Sequence, residues 1–410
     1  MQRTRNYKLL SAAAFSFASL LMGGCTSNSD NPVEAKKPLS LDSIHFTAEE
    51  APEWSRLFKR TSGWFGGDGI FAVTRDGREN ANASAGSETI IWFSDTMLGE
   101  IGEDGKLKPG YEMIHNSISV LKGSEADSNR IKFYWPKESG KNKSLFVPNT
   151  PGTATDEYYW MGDGFVNQAK NNDLYIFGYR IKDTHDGSPF PFKEMGNTLV
   201  VIPGNSQPPF TTQRQIDIPF FLGKPVDSAG SFGAGIFVNT KEAGATDADG
   251  YVYIYGIRGQ KKELMVARVQ PASIEQFDQW RFWDGAGWTN DLTKIKTVTD
   301  RLSNELGMMR LKDGRYALVF QEDGLGKFVA MRLAHSPVGP FGKVIRLFDC
   351  TASVAVDKDF FPYNAKVHPV LSQPNELLIS YNVNSFDFFN DVKEQPQLYR
   401  PRFVRVKINE

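Results

Sequence analysis

The chain has 410 residues, 40% hydrophobic and 13% aromatic, enough for a large core in one big domain or two ordinary ones. A formal net charge of -1 argues against nucleic acid as a partner. The 37 glycines and 22 prolines fit a turn-rich fold and exclude a helical bundle.

The N-terminus reads as a targeting segment. Basic "MQRTRNYK" leads into apolar "LLSAAAFSFASLLMGG", short for a membrane span and ending just before Cys25. The "LMGGC" pattern resembles a bacterial lipoprotein signal, in which the cysteine is lipidated and becomes the mature N-terminus. A plain secretory signal is the alternative. The expected layout is a signal peptide over 1–25, a polar tether over 26–50 and a folded domain over 51–410. The protein is then lipid-anchored in the bacterial cell envelope, at the outer membrane or cell surface. Only Cys350 remains once Cys25 is lipidated, so no internal disulfide is expected.

Beyond residue 60, short β-branched and aromatic runs alternate with Gly, Asn and Asp. One kind of run recurs: "ETIIWFSDT" (88–96), "NDLYIFGYR" (172–180), "GYVYIYGIR" (250–258), "GRYALVFQE" (314–322) and "NELLISYNV" (375–383). Strand-like segments precede them: "GDGIFAVTRDG" (67–77), "GDGFVNQAKNN" (162–172), "GAGIFVNTK" (233–241), "NELGMMRLKDG" (304–314) and "NAKVHPVL" (364–371). Five similar hairpins predict an all-β five-bladed β-propeller with about 72 residues per blade. A β-sandwich is the alternative.

The first strand of each propeller blade lines the central channel, so equivalent positions converge. Asp68, Asp163 and Glu305 each stand eight residues before a turn residue, at Asp76, Asn171 and Asp313. They are expected at one channel mouth, where unpartnered carboxylates raise one another's pKa and persist only where used. Antiparallel pairing places Asp95, at the end of the second strand of the first hairpin, on the same rim as Asp68. The bland alternatives are a hairpin turn for Asp68 and Asp163, a solvated strand end for Glu305 and a turn cap for Asp95. Two facing carboxylates are the working pair of a glycosidase. Trp64, Phe65, Tyr159 and Trp160 lie nearby in sequence, and aromatic faces suit sugar rings. No phosphate loop, GxSxG, HExxH or cysteine cluster appears, and five scattered histidines argue against a zinc site.

"GWFGGDGIFAV", "IIWFSDTMLGE", "MIHNSISVL", "WRFWDGAGW", "NELGMMRL" and "NAKVHPVL" together resemble bacterial secreted and surface proteins grouped as domains of unknown function 4185 and 5005. Those stand near the five-bladed-propeller glycoside hydrolases of families 43, 62 and 183. The resemblance implies Asp68 as base or nucleophile, Asp163 as pKa modulator and Glu305 as general acid. A "GDT"-like motif in family 183, matched by "SDT", implies Asp95 as the second catalytic carboxylate. It also implies that His115, Asn116 and His368 bind substrate or line the channel, and it allows a central structural calcium; no other cofactor or metal is expected. The reading is a monomeric glycoside hydrolase acting on an arabinofuranoside-type or related oligo- or polysaccharide, with Trp64 and Trp160 among its substrate contacts. A non-catalytic glycan-binding lipoprotein on the same fold is the alternative.

Overall fold

The computed structural model describes residues 38–188, 190–223 and 229–409; Cys25 and most of the expected tether lie outside them. Ser40–Glu410 forms one compact unit.

Of the seven antiparallel sheets among the described residues, the five with four or five strands follow one another along the chain. The first holds Phe71–Thr74, Glu88–Phe93, Ser117–Lys122 and Ile131–Tyr134. The second holds Tyr158–Asn167, Asp173–Asp183, Phe192–Ile202 and Arg214–Ile218. The third runs from Gly230–Asn239 through Tyr251–Arg258 and Glu263–Val269 to a small hairpin over residues 281–289. The fourth holds Leu306–Arg310, Tyr316–Gln321, Phe328–Ala334 and Ile345–Asp349. The fifth holds Phe360–Val367, Glu376–Ser385 and Arg402–Ile408, and takes its outer strand, Phe46–Glu50, from the other end of the chain. The boundary expected at residue 50 therefore falls inside the fold. Phe46–Glu50 pairs residue for residue with Val404–Ile408, which saturates an edge that would otherwise stay open.

The second strand of each sheet is buried on both faces, as in Glu88–Phe93 and Tyr316–Gln321. That is why these strands read as continuous apolar runs and not as alternation. Their side chains fill cores between successive sheets. Trp92 and Ile118 of the first meet Tyr159, Ile176 and Val200 of the second. Leu306 and Leu318 of the fourth meet Tyr255 and Val266 of the third. Ile91 and Phe93 of the first also share a core with Leu378 and Phe403 of the fifth. Each large side chain so buried contributes about 1.5–3 kcal/mol.

The first strands pack side by side, and all five contribute to one axial cavity of about 30 Å³. Four are irregular at the same level. The first sheet's opening strand is preceded by a break at 68–70, which separates it from Ser62–Gly67. The register shifts between Met161 and Gly164, between Phe232 and Gly235, and between Tyr363 and Lys366. Such bulges bend a strand and re-aim its side chains. Gly233 shows the constraint: its φ is +108°, and a Cβ there would lie 2.4 Å from the Phe177 side chain.

Candidate active site

Asp68 sits in the break at 68–70, facing the end of the neighbouring strand. Its N–H donates to the Asp95 carbonyl at 3.2 Å, and Ser94 N–H donates to the Asp68 carbonyl at 2.8 Å. The kinked hairpin thus sets two acids side by side. Tyr363 Oη–H donates to Asp68 Oδ2 at 2.7 Å, while Oδ1 is sealed from solvent with no hydrogen-bond partner. Burial first, then Asp95 and Glu305, push the Asp68 carboxyl up to about 8, against the hydroxyls of Tyr363 and Tyr399.

Asp95 has different company. Trp160 Nε1–H donates to Oδ2 at 3.1 Å, and His115 Nδ1 lies 3.0 Å from Oδ1. An indole can only donate, so this oxygen acts as an acceptor. His115 stacks on Tyr158 with centroids 3.8 Å apart, which fixes the imidazole plane.

Glu305 and Asp163 lie deeper. Lys366 Nζ pairs with Glu305 Oε2, and Asn364 Nδ2 donates to Oε1 at 2.8 Å. Burial raises the Glu305 carboxyl above its usual range, and Lys366 opposes this. Both oxygens are engaged by protein donors, so the general-acid role expected of Glu305 does not fit its surroundings. Asp163 lines the axial cavity; its Oδ1 accepts from Gly164 N–H at 2.8 Å and its Oδ2 from Ile236 N–H at 2.7 Å. Burial pushes it up to about 7 against those two bonds and Lys366, with Glu305 adding to the rise.

Several expected substrate contacts belong to the core. Trp64 is 1% exposed, packs on Phe133 and Phe93 at 4.5 and 5.0 Å, and donates Nε1–H to Ser117 Oγ at 3.2 Å. Phe65 and Tyr159 are buried likewise. Asn116 is buried and clamps one backbone segment: its Nδ2 donates to the Phe146 carbonyl at 2.8 Å, and its Oδ1 accepts from Phe146 N–H at 2.6 Å. These residues are corrected from substrate contacts to structural ones. His368 lines the axial cavity, not the mouth; its Nε2 bonds Ser380 Oγ at 2.7 Å, and burial, with Lys366 adding, pushes it down to about 3.

A calcium does not suit that cavity. Lys366 already brings a cation into it, and among the described residues no three ligand-type side chains are placed to hold a metal.

Four residues near the acids escaped the sequence reading. Tyr363 and Tyr399 act on Asp68 from the fifth sheet and the turn before its last strand. Lys366 stands two residues before His368, the strand period that shares a face, and that spacing could have revealed it. Glu194, on the second sheet's third strand, is pushed up to about 7 by burial, against a bond from Ser231 and the charge of Lys262. Its Oε1 is buried without a partner. No spacing in the sequence marks it.

Among solved structures, a candidate hydrolase from Bacteroides ovatus is 20% identical, with a TM-score of 0.66, over 91% of this chain and 97% of that one. The likeness is one of fold. An exo-β-1,3-galactanase from Phanerochaete chrysosporium, bound to β-1,3-galactotriose, is 11% identical with a TM-score of 0.42, over 83% of this chain and 60% of that one. A glycoside hydrolase family 62 enzyme in complex with xylotriose is 12% identical with a TM-score of 0.43, over 85% and 92%. No curated protein sequence matches. Residues 52–408 match the family described as Domain of unknown function (DUF5005), and the chain belongs to that family.

Proposed function

We propose that this chain is a glycoside hydrolase on a five-bladed β-propeller, with Asp68 as proton donor and Asp95 as base or nucleophile. The observation that carries the reading is the inequality of two adjacent acids. Asp68, pushed up to about 8, holds its proton at neutral pH, whereas Asp95 faces the Trp160 N–H and the His115 ring. Where one of two neighbouring carboxyls is kept protonated, it can serve as the acid and leave the other to act as base or nucleophile. This exchanges the role expected of Asp68 from the family resemblance.

In this mechanism Asp68 protonates the leaving glycosidic oxygen while Asp95 activates water or attacks the anomeric carbon. Glu305 adds to the field that keeps the Asp68 proton in place. The substrate is an oligo- or polysaccharide, and the motif resemblance makes arabinofuranosides the first to assay. The protein acts as a monomer held in the cell envelope through lipid on Cys25, and Cys25→Ala releases it from the membrane fraction or blocks its maturation.

The exposed aromatic rims of Phe190 and Phe386 favour a second reading, a glycan-binding protein without catalysis. One experiment separates the two. The purified protein is incubated with a polysaccharide panel, and products are read by chromatography. Sugar release that Asp68→Asn and Asp95→Asn abolish supports the hydrolase; binding without release across the panel supports the binder.

A further inference from the structure

We propose that the acid pocket takes a glycan by its chain end, so that the enzyme acts in exo fashion; this rests on the hydrolase reading above. The argument is a closed circuit of contacts of which the two acids are links. From Asp95 it runs to Trp160, whose ring meets Phe192 at 4.4 Å. Phe192 meets Phe190 at 6.1 Å, and Phe190 meets Phe386 of the fifth sheet's side at 6.1 Å. Phe386 meets Phe361 at 4.6 Å, and Phe361 meets Tyr363 at 5.8 Å. Tyr363 bonds Asp68, whose N–H returns to Asp95.

Aromatic centroids 4.4–6.1 Å apart are in van der Waals contact, so no sugar ring passes between them. An enzyme that cuts inside a polymer needs a groove open at both ends. A circuit without a gap leaves entry from above, which suits a terminal residue. Phe190 and Phe386, on connections of the second and fifth sheets, complete the span although the first sheet lies between those sheets. Their side chains stay 47% and 58% exposed, a wet apolar surface beside charged groups, as a sugar-facing rim requires.

The test uses the full chain and linear α-1,5-arabinan, or, if arabinan is not cut, whichever panel polysaccharide the wild type cleaves. Products are followed by chromatography and chain length by viscosity. Expected is a single short product from the first time point, with viscosity nearly unchanged early in the reaction. A Phe190→Ala, Phe386→Ala double variant then releases intermediate oligomers, while release of the terminal product falls about tenfold, the loss of one aromatic contact of ordinary strength. A ladder of oligomers and an early viscosity drop from the wild type overturn the exo inference alone. Inactivity on every polysaccharide overturns the hydrolase reading and this inference with it. The wild-type measurement decides the matter even if the double variant fails to fold.

Discussion

Buried acids are treated in two ways in this molecule. Away from the mouth several have a guanidinium. Glu322, 4% exposed, is bonded by Arg346 at 2.8 Å and Arg301 at 3.1 Å. Glu157 has Arg180 at 3.2 Å, and Glu376 has Arg405 at 2.8 Å. At the mouth Asp68 has tyrosine hydroxyls and Asp95 an indole and an imidazole. A charge-assisted pair holds a carboxylate ionised; a neutral donor leaves the proton free to move. That contrast sets the arginine-held acids Glu322, Glu157 and Glu376 apart from Asp68 and Asp95, the acids of the proposed mechanism.

The largest test of that contrast exchanges charge for amide on each side. Asp68→Asn and Asp95→Asn should each lower turnover by about 10²–10⁴-fold while thermal unfolding stays cooperative. Glu322→Gln should do the reverse, destabilising by about 1–3 kcal/mol with turnover per folded molecule unchanged. Initial rates and denaturant midpoints on the three variants decide it. Similar turnover losses in all three would erase the distinction.

Glu305 stands between the two classes. It immediately precedes the fourth sheet's first strand, yet it is paired with Lys366, itself only 2% exposed. If Glu305 belongs with the structural acids, Glu305→Gln strands a buried ammonium and should cost about 3–5 kcal/mol, read from urea unfolding. A fully stable variant that has lost its turnover would return Glu305 to the catalytic group.

Much of this architecture could be read from the sequence, for a physical reason. Strands buried on both faces carry uninterrupted apolar runs, so 88–93, 173–183, 251–258, 316–321 and 376–385 announce themselves. The positions of Asp68 and Asp163 were legible because a bulged inner strand wants glycine on either side of the re-aimed residue, which writes "GDG" twice. Trp64 was misplaced because proximity along a strand does not say which face a side chain takes; in the structure it points into the core between the first and fifth sheets. Tyr363 and Glu194 were invisible because they lie on other sheets, far from Asp68 in sequence, and only folding brings Tyr363 to the Asp68 carboxyl. Phe46–Glu50 hid in a polar-looking segment because an outer strand needs apolar residues on one face only, and only Phe46 and Ala48 are partly buried.

A smaller effect sharpens the account of Asp68. Tyr363→Phe removes a 2.7 Å bond that favours the ionised carboxyl. A hydrogen bond to a charged group is worth roughly 1.5–3 kcal/mol, so the Asp68 titration should move up by about one pH unit or more. The alkaline limb of kcat/KM should follow it, with the acid limb unmoved. A packing role alone would lower the whole profile without displacing either limb.

The smallest effect is on stability. In the folded chain Asp68 titrates near 8, and in the unfolded chain near the ordinary 3.8. Between those values the native state binds a proton that the unfolded state has lost, so the group's contribution is fully present below about pH 4 and is lost as pH rises through 8. Asp68→Asn cannot ionise and escapes that loss. Its melting temperature should therefore match the wild type at pH 4 and exceed it by a margin that grows as pH rises to 8–9. Arginine-paired Glu376 supplies the contrast: Glu376→Gln removes a pair and should lower the melting temperature throughout neutral and alkaline pH. Calorimetry of both variants across pH 4–9 tests the opposition, and an Asp68→Asn curve that runs parallel to the wild type would mean that Asp68 is ionised at neutral pH, as the motif resemblance alone implies.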